Sequence, residues 1–456
     1  MKDFPPPPNL KIMESKNDIR HSLGNVHETL EQIRISGVLN GENADRSENL
    51  HRLFIYPAMM VPKTQKIIVS AFADVIPEHA NVIDPFLGSG TSLISCMEFG
   101  YNIYGQDINP LAVLIAQTKA VAYGIEAYEE AFFKIQGHIN EDVSERIEVN
   151  FPNINKWFTH ESQVSFSKIR RAIMALDKQE IRSFFWVVMA ETIRVGCNDR
   201  TSTFKLHCRP KEELEDRKIN NIDAFKTFCR RGINDLKVYV KKLSDKHLLE
   251  DGHYKGRINI KWGNSQQAMN TEESFDLLVS SPPYGDNHTM VTYGQASYLP
   301  LQWIDKNDLD CPYDYLRTTQ EIDAQSLGGK KNKKAMTIYR DRLFMQTPTL
   351  ARFIESVPDE EKKLYDKTIY FINDFNQCLD KILKVMKDDA FYIWTIGDRF
   401  VGKRSVPNAN ILVDLMESRG LSLFDEAERF ILNKKQPKKN NYSSTMEKER
   451  ILIFHK

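Results

Sequence analysis

Two short segments, far apart in the chain, carry residue types that could hold a cofactor and a substrate. The tetrapeptide Ser281-Pro282-Pro283-Tyr284 follows the apolar run at 275–280, where a buried strand should end. The segment Asp84-Pro85-Phe86-Leu87-Gly88-Ser89-Gly90-Thr91 follows a second strand-like run at 81–83. Because ligands of open α/β sheets bind outside the carboxyl ends of the strands, we expect the two segments to meet at one sheet edge. The glycine turn suits a cofactor, and the rigid loop with its hydroxyl and ring suits a flat polar substrate.

This pair of segments resembles the DNA amino-methyltransferases, which transfer a methyl group from S-adenosylmethionine to an exocyclic nitrogen of a base. Within that family, the Ser-Pro-Pro-Tyr loop is most similar to the cytosine-N4-specific enzymes. The resemblance implies an α/β, class I methyltransferase fold, in which a Rossmann-like, mostly parallel sheet ends in an antiparallel hairpin. It also implies a role in bacterial restriction-modification or defence, with double-stranded DNA as partner and a cognate restriction endonuclease as a second candidate partner.

The glycine turn is the first part of the expected cofactor site. It needs small residues because the backbone reverses tightly and a ligand must approach without interference from a Cβ atom. Its amides and the following helix start favour a carboxylate, which the cofactor carries on its methionine end. A dinucleotide fingerprint would place a third glycine where Leu93 stands, so NAD is disfavoured. The cofactor-binding residues expected in this segment are Asp84, Pro85, Phe86, Gly88, Ser89, Gly90 and Thr91.

Three further side chains complete the expected cofactor site. Asp107 ends the second strand, where an acidic group binds ribose hydroxyls in dinucleotide folds and in methyltransferases. By resemblance, Asp84 accepts from the cofactor's ammonium group, and Tyr56 lies in a segment that folds over the methionine portion. Packing in the core is an equally good reading of Tyr56. Asn264 resembles the adenine-side contact, with an uncharged residue where relatives often carry Asp.

The expected catalytic residues are Ser281, Pro282, Pro283 and Tyr284. An exocyclic amine is a poor nucleophile because its lone pair is delocalised into the ring, and acceptors for its N–H groups would expose that lone pair. By resemblance, Ser281 and the Pro282 carbonyl are those acceptors, and Tyr284 stacks on a base flipped out of the helix. Transfer is then a direct displacement without a covalent enzyme intermediate. Cytosine-C5 chemistry is disfavoured because no cysteine follows a proline; Cys311-Pro312 has the reverse order.

The hydrophobic pattern divides the chain into three expected regions. Residues 1–48 are a polar lead-in, and residues 49–125 and 255–456 form the methyltransferase domain. Residues 126–254 are rich in Lys, Glu, Phe and Arg at helical spacing, which predicts a helical insert. Its helices are expected near 169–176, 180–195 and 222–243. This insert is a candidate target-recognition lobe. A further region at about 285–360 is expected to be irregular, and strands at 423–431 and 450–455 to form the terminal hairpin.

Composition limits the classes of protein that remain. The 456 residues include 62 basic and 62 acidic side chains, so a nucleic acid would be held by local patches and not by overall charge. The six cysteines are scattered without a Cys-x-x-Cys pair, so neither a disulfide framework nor a metal site is expected, and a reducing cytoplasm is the simple reading. The most apolar run, at 184–190, is too short to span a membrane.

Two basic clusters follow the catalytic segment and are expected to contact DNA phosphates from loops. An ordinary solvated surface is the alternative for any one of these residues. They are Lys330, Lys331, Lys333, Lys334, Arg340, Lys434, Lys435, Lys438 and Lys439. The insert adds a third cluster that is a candidate for target recognition: Arg194, Arg200, Lys205, Arg209 and Lys211.

Three alternatives to cytosine-N4 methylation remain open from the sequence. Adenine-N6 methylation is the nearest, since related loops differ mainly at the first residue, and Ser281 replaces the acidic residue or Asn expected there. An RNA or protein N-methyltransferase is the second, because Asn-Pro-Pro-Tyr and Asp-Pro-Pro-Tyr loops serve those substrates. The third is a methyltransferase-like subunit that binds nucleic acid without turnover, which two intact motifs disfavour.

Overall fold

A computed structural model describes residues 16–41, 45, 47–120, 124–201, 205–287, 290–311, 316–431 and 447–456. The strands in these ranges are β1 (Asn81–Asp84), β2 (Asn102–Asp107), β3 (Leu249–Glu250), β4 (His253–Tyr254), β5 (Ile258–Trp262), β6 (Phe275–Ser280), β7 (Met386–Ile396), β8 (Arg399–Val401), β9 (Arg404–Val406), β10 (Ser422–Phe430) and β11 (Lys448–His455). Seven of them form one sheet in the order β10-β11-β7-β6-β1-β2-β5. Strands β7, β6, β1, β2 and β5 pair in parallel, and β11 pairs antiparallel with both β7 and β10. The expected mostly parallel sheet with a terminal antiparallel hairpin is therefore confirmed.

The helices of the described ranges cover both faces of this sheet. They are α1 (Lys16–Ser36), α2 (Pro62–Ser70), α3 (Thr91–Met97), α4 (Pro110–Ala120), α5 (Ile125–Glu141), α6 (Ile154–Trp157), α7 (His160–Met174), α8 (Gln179–Gly196), α9 (Lys211–Glu215), α10 (Asn221–Asp245), α11 (Tyr293–Trp303), α12 (Glu321–Gln325), α13 (Met336–Gln346), α14 (Pro348–Glu355), α15 (Asp366–Ile382) and α16 (Asn408–Glu417).

Alternate side chains of the central strands enter two separate hydrophobic cores. On β6, Leu277 and Val279 join the core with α4 and α8, while Leu278 joins the core with α15 and α16. This alternation follows from the two-residue period of a strand, with both faces covered by helices. All six residues of β6 are buried, so its sequence is a continuous apolar run interrupted only by Asp276 and Ser280. A fully buried strand of this kind holds the loop that follows it in a fixed position.

The predicted helical insert is confirmed by α5 to α10. Its helix α8 is buried along most of its length, and it packs against α4 and α11. The side chains of Phe184, Trp186 and Met189 join the same core as Leu277 and Val279 of β6. The lead-in also contributes to this core, because Val26 and Leu30 of α1 are buried.

The region at 285–360, expected to be irregular, instead contains the helices α11 to α14. Two features hide the helical period in its sequence. Pro300 lies inside α11, and α13 buries only Leu343, so its remaining residues carry no apolar stripe. Arg340 was expected in a loop and lies on α13.

Candidate active site

The two chemistry-bearing segments meet at the carboxyl edge of the sheet. Strands β1 and β6 are neighbours, with Val82 opposite Leu277, so their ends lie side by side. The Ser280 hydroxyl at the end of β6 donates a hydrogen bond of 2.6 Å to the Asp84 carboxylate at the end of β1. The Ser265 hydroxyl donates to the Pro85 carbonyl at 2.5 Å, which ties the loop after β5 to the same place. Three strand ends therefore build one site.

A cleft of about 910 Å3, part of it open to solvent, lies above these strand ends. Most of the residues expected from the sequence line it: Tyr56, Asp84, Pro85, Phe86, Gly88, Ser89, Thr91, Asp107, Asn264, Ser281 and Pro283. Three expected residues are absent from the lining: Gly90, Pro282 and Tyr284. Gly88 and Ser281 are far apart in the sequence, and both line this cleft.

Two glycines give the turn after β1 its shape. Gly88 and Gly90 have φ angles of 51° and 79°, in the left-handed region that favours glycine. A Cβ on Gly90 would lie 2.8 Å from the Ala116 Cβ of α4, so the turn packs tightly on that helix. A Cβ on Gly88 would have only a Tyr56 ring carbon within 4 Å, at 3.8 Å, because this position borders the cleft. Beneath the turn, the buried Lys119 ammonium donates to the Ser89 carbonyl at 3.0 Å.

Two carboxyl groups, those of the buried Asp84 and the half-buried Asp107, face the cleft from neighbouring strands. Asp107 accepts from the backbone N–H of Gly88 and from that of Asn109, both at 2.8 Å. Burial raises the pKa of Asp107 to about 6, against these hydrogen bonds, which lower it. Burial likewise raises the pKa of Asp84 to about 7, although the Ser280 hydroxyl and the Phe86 N–H stabilise its charged form. Both groups thus change charge near neutral pH and would gain from a hydrogen-bonding or cationic ligand.

Tyr56 closes one wall of the cleft. Its hydroxyl accepts from the Asn109 side-chain amide at 2.9 Å, and its ring stacks on Tyr293 with centroids 5.6 Å apart. Asn109 also donates to the Ser297 hydroxyl at 2.7 Å, so α11 is tied to the β2 end. Tyr293 was not predicted from the sequence. Other cleft residues from the region expected to be irregular were also missed: Asn287, Ile322, Gln325, Ser326 and Leu327.

The loop after β5 forms the opposite side of the cleft. A Cβ on Gly263 would lie 2.8 Å from the Gln106 side-chain oxygen, so no larger residue fits without rearrangement. The Asn264 side-chain oxygen accepts from the Gln266 N–H at 3.0 Å, which fixes it in a local turn. The Asn264 amide group is the part of this side chain left to face a ligand.

The Ser-Pro-Pro-Tyr loop at 281–284 is hydrogen-bonded to the terminal hairpin of β10 and β11. The Tyr284 hydroxyl lies 3.2 Å from the Ser281 hydroxyl and donates to the Glu449 carboxylate of β11 at 3.0 Å. The Asn408 side-chain amide donates to the Tyr284 carbonyl at 2.9 Å. Burial and the neighbouring Glu449 charge raise the pKa of Tyr284 well above its usual value. The phenol therefore stays protonated, and Tyr284 itself does not line the cleft.

The expected DNA-contacting residues fall into two groups. Lys330, Lys331, Lys333 and Lys334 lie just before α13 and are exposed, and in the described ranges none of them forms an ion pair. Lys434, Lys435, Lys438 and Lys439 lie outside the described residues. Arg340, on α13, is exposed beside Asp341 at 3.6 Å.

Several arginines of the insert form ion pairs with glutamates of the insert. Arg194 pairs with Glu191 at 2.7 Å. Arg200 and Arg209 both pair with Glu213, at 3.7 and 3.3 Å. These arginines would have to leave their glutamate partners, or share them, to contact a phosphate backbone.

The cleft residues fit S-adenosylmethionine. The carboxyl groups of Asp84 and Asp107, at the ends of β1 and β2, could accept hydrogen bonds from an ammonium group and from ribose hydroxyls. Because Gly88 has no side chain, the cofactor can approach its backbone closely. In the ranges that the structure describes, no three His, Cys, Asp or Glu side chains converge as a metal site would require. Nor does any helix of those ranges have the length and apolar character needed to cross a bilayer.

Two known proteins are similar to the chain in sequence. The type II methyltransferase M.MvaI of Kocuria varians is 30% identical over 434 residues, which cover 90% of this chain and 92% of the relative. The type II methyltransferase M.MjaII of Methanocaldococcus jannaschii is 38% identical over 86 residues, or 18% of this chain and 15% of the relative. A search against models of protein families finds no match.

Proposed function

The chain belongs to the type II DNA methyltransferases, and from this premise we propose that it methylates the exocyclic N4 amine of a cytosine in a specific double-stranded DNA sequence. The methyl donor is S-adenosylmethionine, and the cytosine is flipped out of the duplex. One observation carries the proposal: the glycine turn and the Ser-Pro-Pro-Tyr loop line the same cleft. A donor on one side and an amine on the other can then react without a covalent enzyme intermediate.

The cofactor half of the cleft uses the strand ends of β1, β2 and β5. Asp107 binds the ribose hydroxyls, and Asp84 faces the ammonium group of the methionine portion. Asn264 contacts the adenine, and Tyr56 covers the methionine portion together with the turn at Gly88. When bound, S-adenosylmethionine supplies an activated methyl group. These residues orient it and keep water away from one side of the cleft.

The catalytic half uses the loop after β6. Ser281 and the Pro282 carbonyl accept hydrogen bonds from the two N–H groups of the amine, which shifts its lone pair out of the ring. Because two prolines restrict the loop, these acceptors need little reorganisation when the base arrives. We assign stacking of the flipped base to the Tyr284 ring, which would have to turn toward the cleft on DNA binding because it does not line the cleft here. The proton that leaves the amine after transfer passes to solvent through the open side of the cleft.

The choice of cytosine N4 depends on the first residue of the loop. Relatives that modify adenine N6 are expected to carry Asp or Asn at this position, and the chain carries Ser281. A serine side chain is shorter, so it suits a loop that must approach the amine closely. Adenine-N6 methylation is the alternative outcome of the test below.

Contacts to DNA come from the basic segment before α13. Its exposed lysines can neutralise phosphates without first breaking an ion pair. This segment follows Ser326 and Leu327, which line the cleft, so it lies near the place where a flipped base enters. We assign it to phosphate contact, together with the lysines at 434–439. The insert is the candidate target-recognition lobe, and a cognate restriction endonuclease is the expected companion.

Labelled-methyl transfer tests this function directly. The protein is incubated with radiolabelled S-adenosylmethionine and separate pools of double-stranded DNA, RNA and protein. Label should enter DNA alone, and digestion to nucleosides followed by mass spectrometry should give N4-methylcytosine. N6-methyladenine would replace the base assignment, and transfer to RNA or protein alone would overturn the substrate.

A further inference from the structure

Four side chains connect the terminal hairpin to the cleft in one continuous path. Arg429 of β10 and Glu449 of β11 face each other across the hairpin, and both are buried. The two guanidinium nitrogens of Arg429 lie 2.6 and 2.5 Å from the same Glu449 oxygen, Oε2. The other oxygen, Oε1, accepts from the Tyr284 hydroxyl, and the Ser281 hydroxyl lies 3.2 Å beyond. Ser281 is the member of this path that lines the cleft.

The chemistry of these groups fixes the direction of every hydrogen bond in the path. A carboxylate paired with a guanidinium only accepts, so the bond between Glu449 and Tyr284 must be donated by the phenol. A phenol has one hydrogen, so Tyr284 has none left for Ser281 and can only accept from it. The Ser281 hydrogen therefore points toward Tyr284. The remaining lone pairs of the Ser281 oxygen are left for a partner in the cleft.

We propose that the Arg429–Glu449 pair sets Ser281 as a hydrogen-bond acceptor toward the substrate, acting through the Tyr284 hydroxyl. This inference rests on the proposed function, because it concerns the amine that Ser281 is assigned to hold. Glu449 and Arg429 are positioning residues, since neither lines the cleft. Without them the serine hydroxyl would rotate freely between donor and acceptor orientations.

An acceptor fixed in this way also selects the substrate. An exocyclic amine offers N–H groups to the Ser281 oxygen, so a cytosine or adenine amine gains a hydrogen bond. A carbonyl at the same place, as on thymine or uracil, would put two acceptors face to face. That arrangement leaves both groups unsatisfied in a partly enclosed site. The orientation of the Ser281 hydroxyl alone therefore favours bases that carry an exocyclic amine.

The test is a pair of double-mutant cycles on the full-length protein. Turnover and the cofactor dissociation constant are measured with genomic DNA amplified in vitro, which carries no earlier methylation. The first cycle combines Ser281→Ala with Tyr284→Phe, and the second combines Tyr284→Phe with Glu449→Gln. Glu428→Gln is the matched control, because it breaks an exposed ion pair with Lys448 on the same hairpin and touches neither Tyr284 nor Ser281.

Tyr284→Phe should lower kcat roughly two- to tenfold, the value of one hydrogen bond, with the cofactor dissociation constant unchanged. Ser281→Ala should lower kcat on the order of 100-fold, and adding Tyr284→Phe should then have no further effect. Glu449→Gln should lower kcat like Tyr284→Phe, and not additively with it. If Glu449→Gln does not fold, Glu449→Asp takes its place in the second cycle, because the shorter carboxylate keeps its charge beside Arg429 and retracts from the Tyr284 hydroxyl.

Independent, multiplying losses from Ser281→Ala and Tyr284→Phe would overturn the inference and leave the proposed function intact. An unchanged kcat for Tyr284→Phe would overturn it in the same way. If Ser281→Ala keeps full turnover, the assigned role of Ser281 is wrong, and the inference fails with it. Absence of methyl transfer to DNA by the unaltered protein would overturn both.

Discussion

The Asp107 carboxylate accepts a hydrogen bond of 2.8 Å from the backbone N–H of Gly88. This contact joins the end of β2 to the turn after β1, two segments that must keep a fixed separation if they bind different parts of one ligand. One Asp107 oxygen holds Gly88 and the other holds Asn109. Each carboxylate oxygen has a second lone pair, so the side chain can still accept from ribose hydroxyls.

Replacing Asp107 by Asn should weaken cofactor binding about ten- to 100-fold. Asn keeps one oxygen for the Gly88 N–H and loses the charge that strengthens hydrogen bonds from hydroxyls, which is worth about 1.5–3 kcal/mol. Isothermal titration calorimetry with S-adenosylmethionine measures the change. Asp310→Asn is the control, because this carboxylate lies in a neighbouring loop and accepts from Trp262. An equal dissociation constant for Asp107→Asn and the unaltered protein would contradict the ribose role.

Cofactor affinity should rise with pH between about 5 and 8. The pKa of Asp107 is raised to about 6 and that of Asp84 to about 7, so acidification neutralises both groups before most other carboxylates. Their ionised forms bind hydroxyls and an ammonium group better, so both contribute with the same sign. Lys119, whose pKa burial lowers to about 7, gains charge on acidification and opposes this trend near the turn. Calorimetry at constant ionic strength should show that Asp107→Asn loses the part of the rise centred near pH 6; an unaltered profile would exclude Asp107 as its source.

The sequence predicted the strand ends well because their position depends on local pattern. β1 and β6 are short apolar runs followed by polar residues, and parallel strands place those residues at one edge. Asp84 and Ser281 could therefore be placed near each other without coordinates. The helical insert and the strands of the terminal hairpin were predicted from the same kind of periodicity, whereas the arrangement of the sheet was implied by the resemblance to the amino-methyltransferases.

Tyr293 and Leu327 could not be predicted, because they reach the cleft only through tertiary packing. Tyr293 begins α11 and Leu327 lies in the turn after α12, in a region where Pro300 and a polar α13 obscure the helical period. Glu449 and Arg429 were missed for a different reason. They face each other only in the register of the hairpin, which shifts at an irregularity between Leu423 and Asp425. Register of this kind depends on a bulge that the apolar alternation does not specify.

Tyr284→Ala should reduce turnover far more than cofactor affinity. The proposed function assigns the ring to the flipped base and not to the cofactor, so its loss should leave cofactor binding largely unchanged. Loss of one stacked base contact corresponds to about 1–3 kcal/mol, or roughly five- to 150-fold in kcat/KM for DNA. Methyl transfer and calorimetry on the same preparation separate the two effects. Equal losses in both would indicate that the ring has a structural role only.

Replacing Lys331, Lys333 and Lys334 by Gln should weaken DNA binding and reduce its salt dependence. Each phosphate contact that is lost should lower the slope of log affinity against log salt by about 0.9. Fluorescence anisotropy with labelled duplex DNA at several salt concentrations measures this slope. Lys384→Gln with Lys456→Gln is the control, because both are exposed lysines outside the insert, next to the amino end of β7 and the carboxyl end of β11. If the control changes the slope as much as the cluster does, the cluster has no special part in binding.

Replacing Lys119 by Met should stabilise the fold, increasingly so as the pH falls from about 10 to 7. Lys119 is buried, and in the part of the chain that the structure describes no carboxylate pairs with it. Burial lowers its pKa from 10.5 to about 7, so between these values the folded state binds fewer protons than the unfolded state, and stability is lost on acidification. Below about pH 7 the loss is complete and amounts to a few kcal/mol, at about 1.4 kcal/mol per pKa unit.

The Met variant avoids this loss but gives up the hydrogen bond to the Ser89 carbonyl, so its cofactor affinity should fall. Urea unfolding of both proteins at pH 7 and pH 9.5 measures the difference, with the exposed Lys241→Met as control. A stability difference that is the same at both pH values would show that burial does not lower the pKa of Lys119 in the fold.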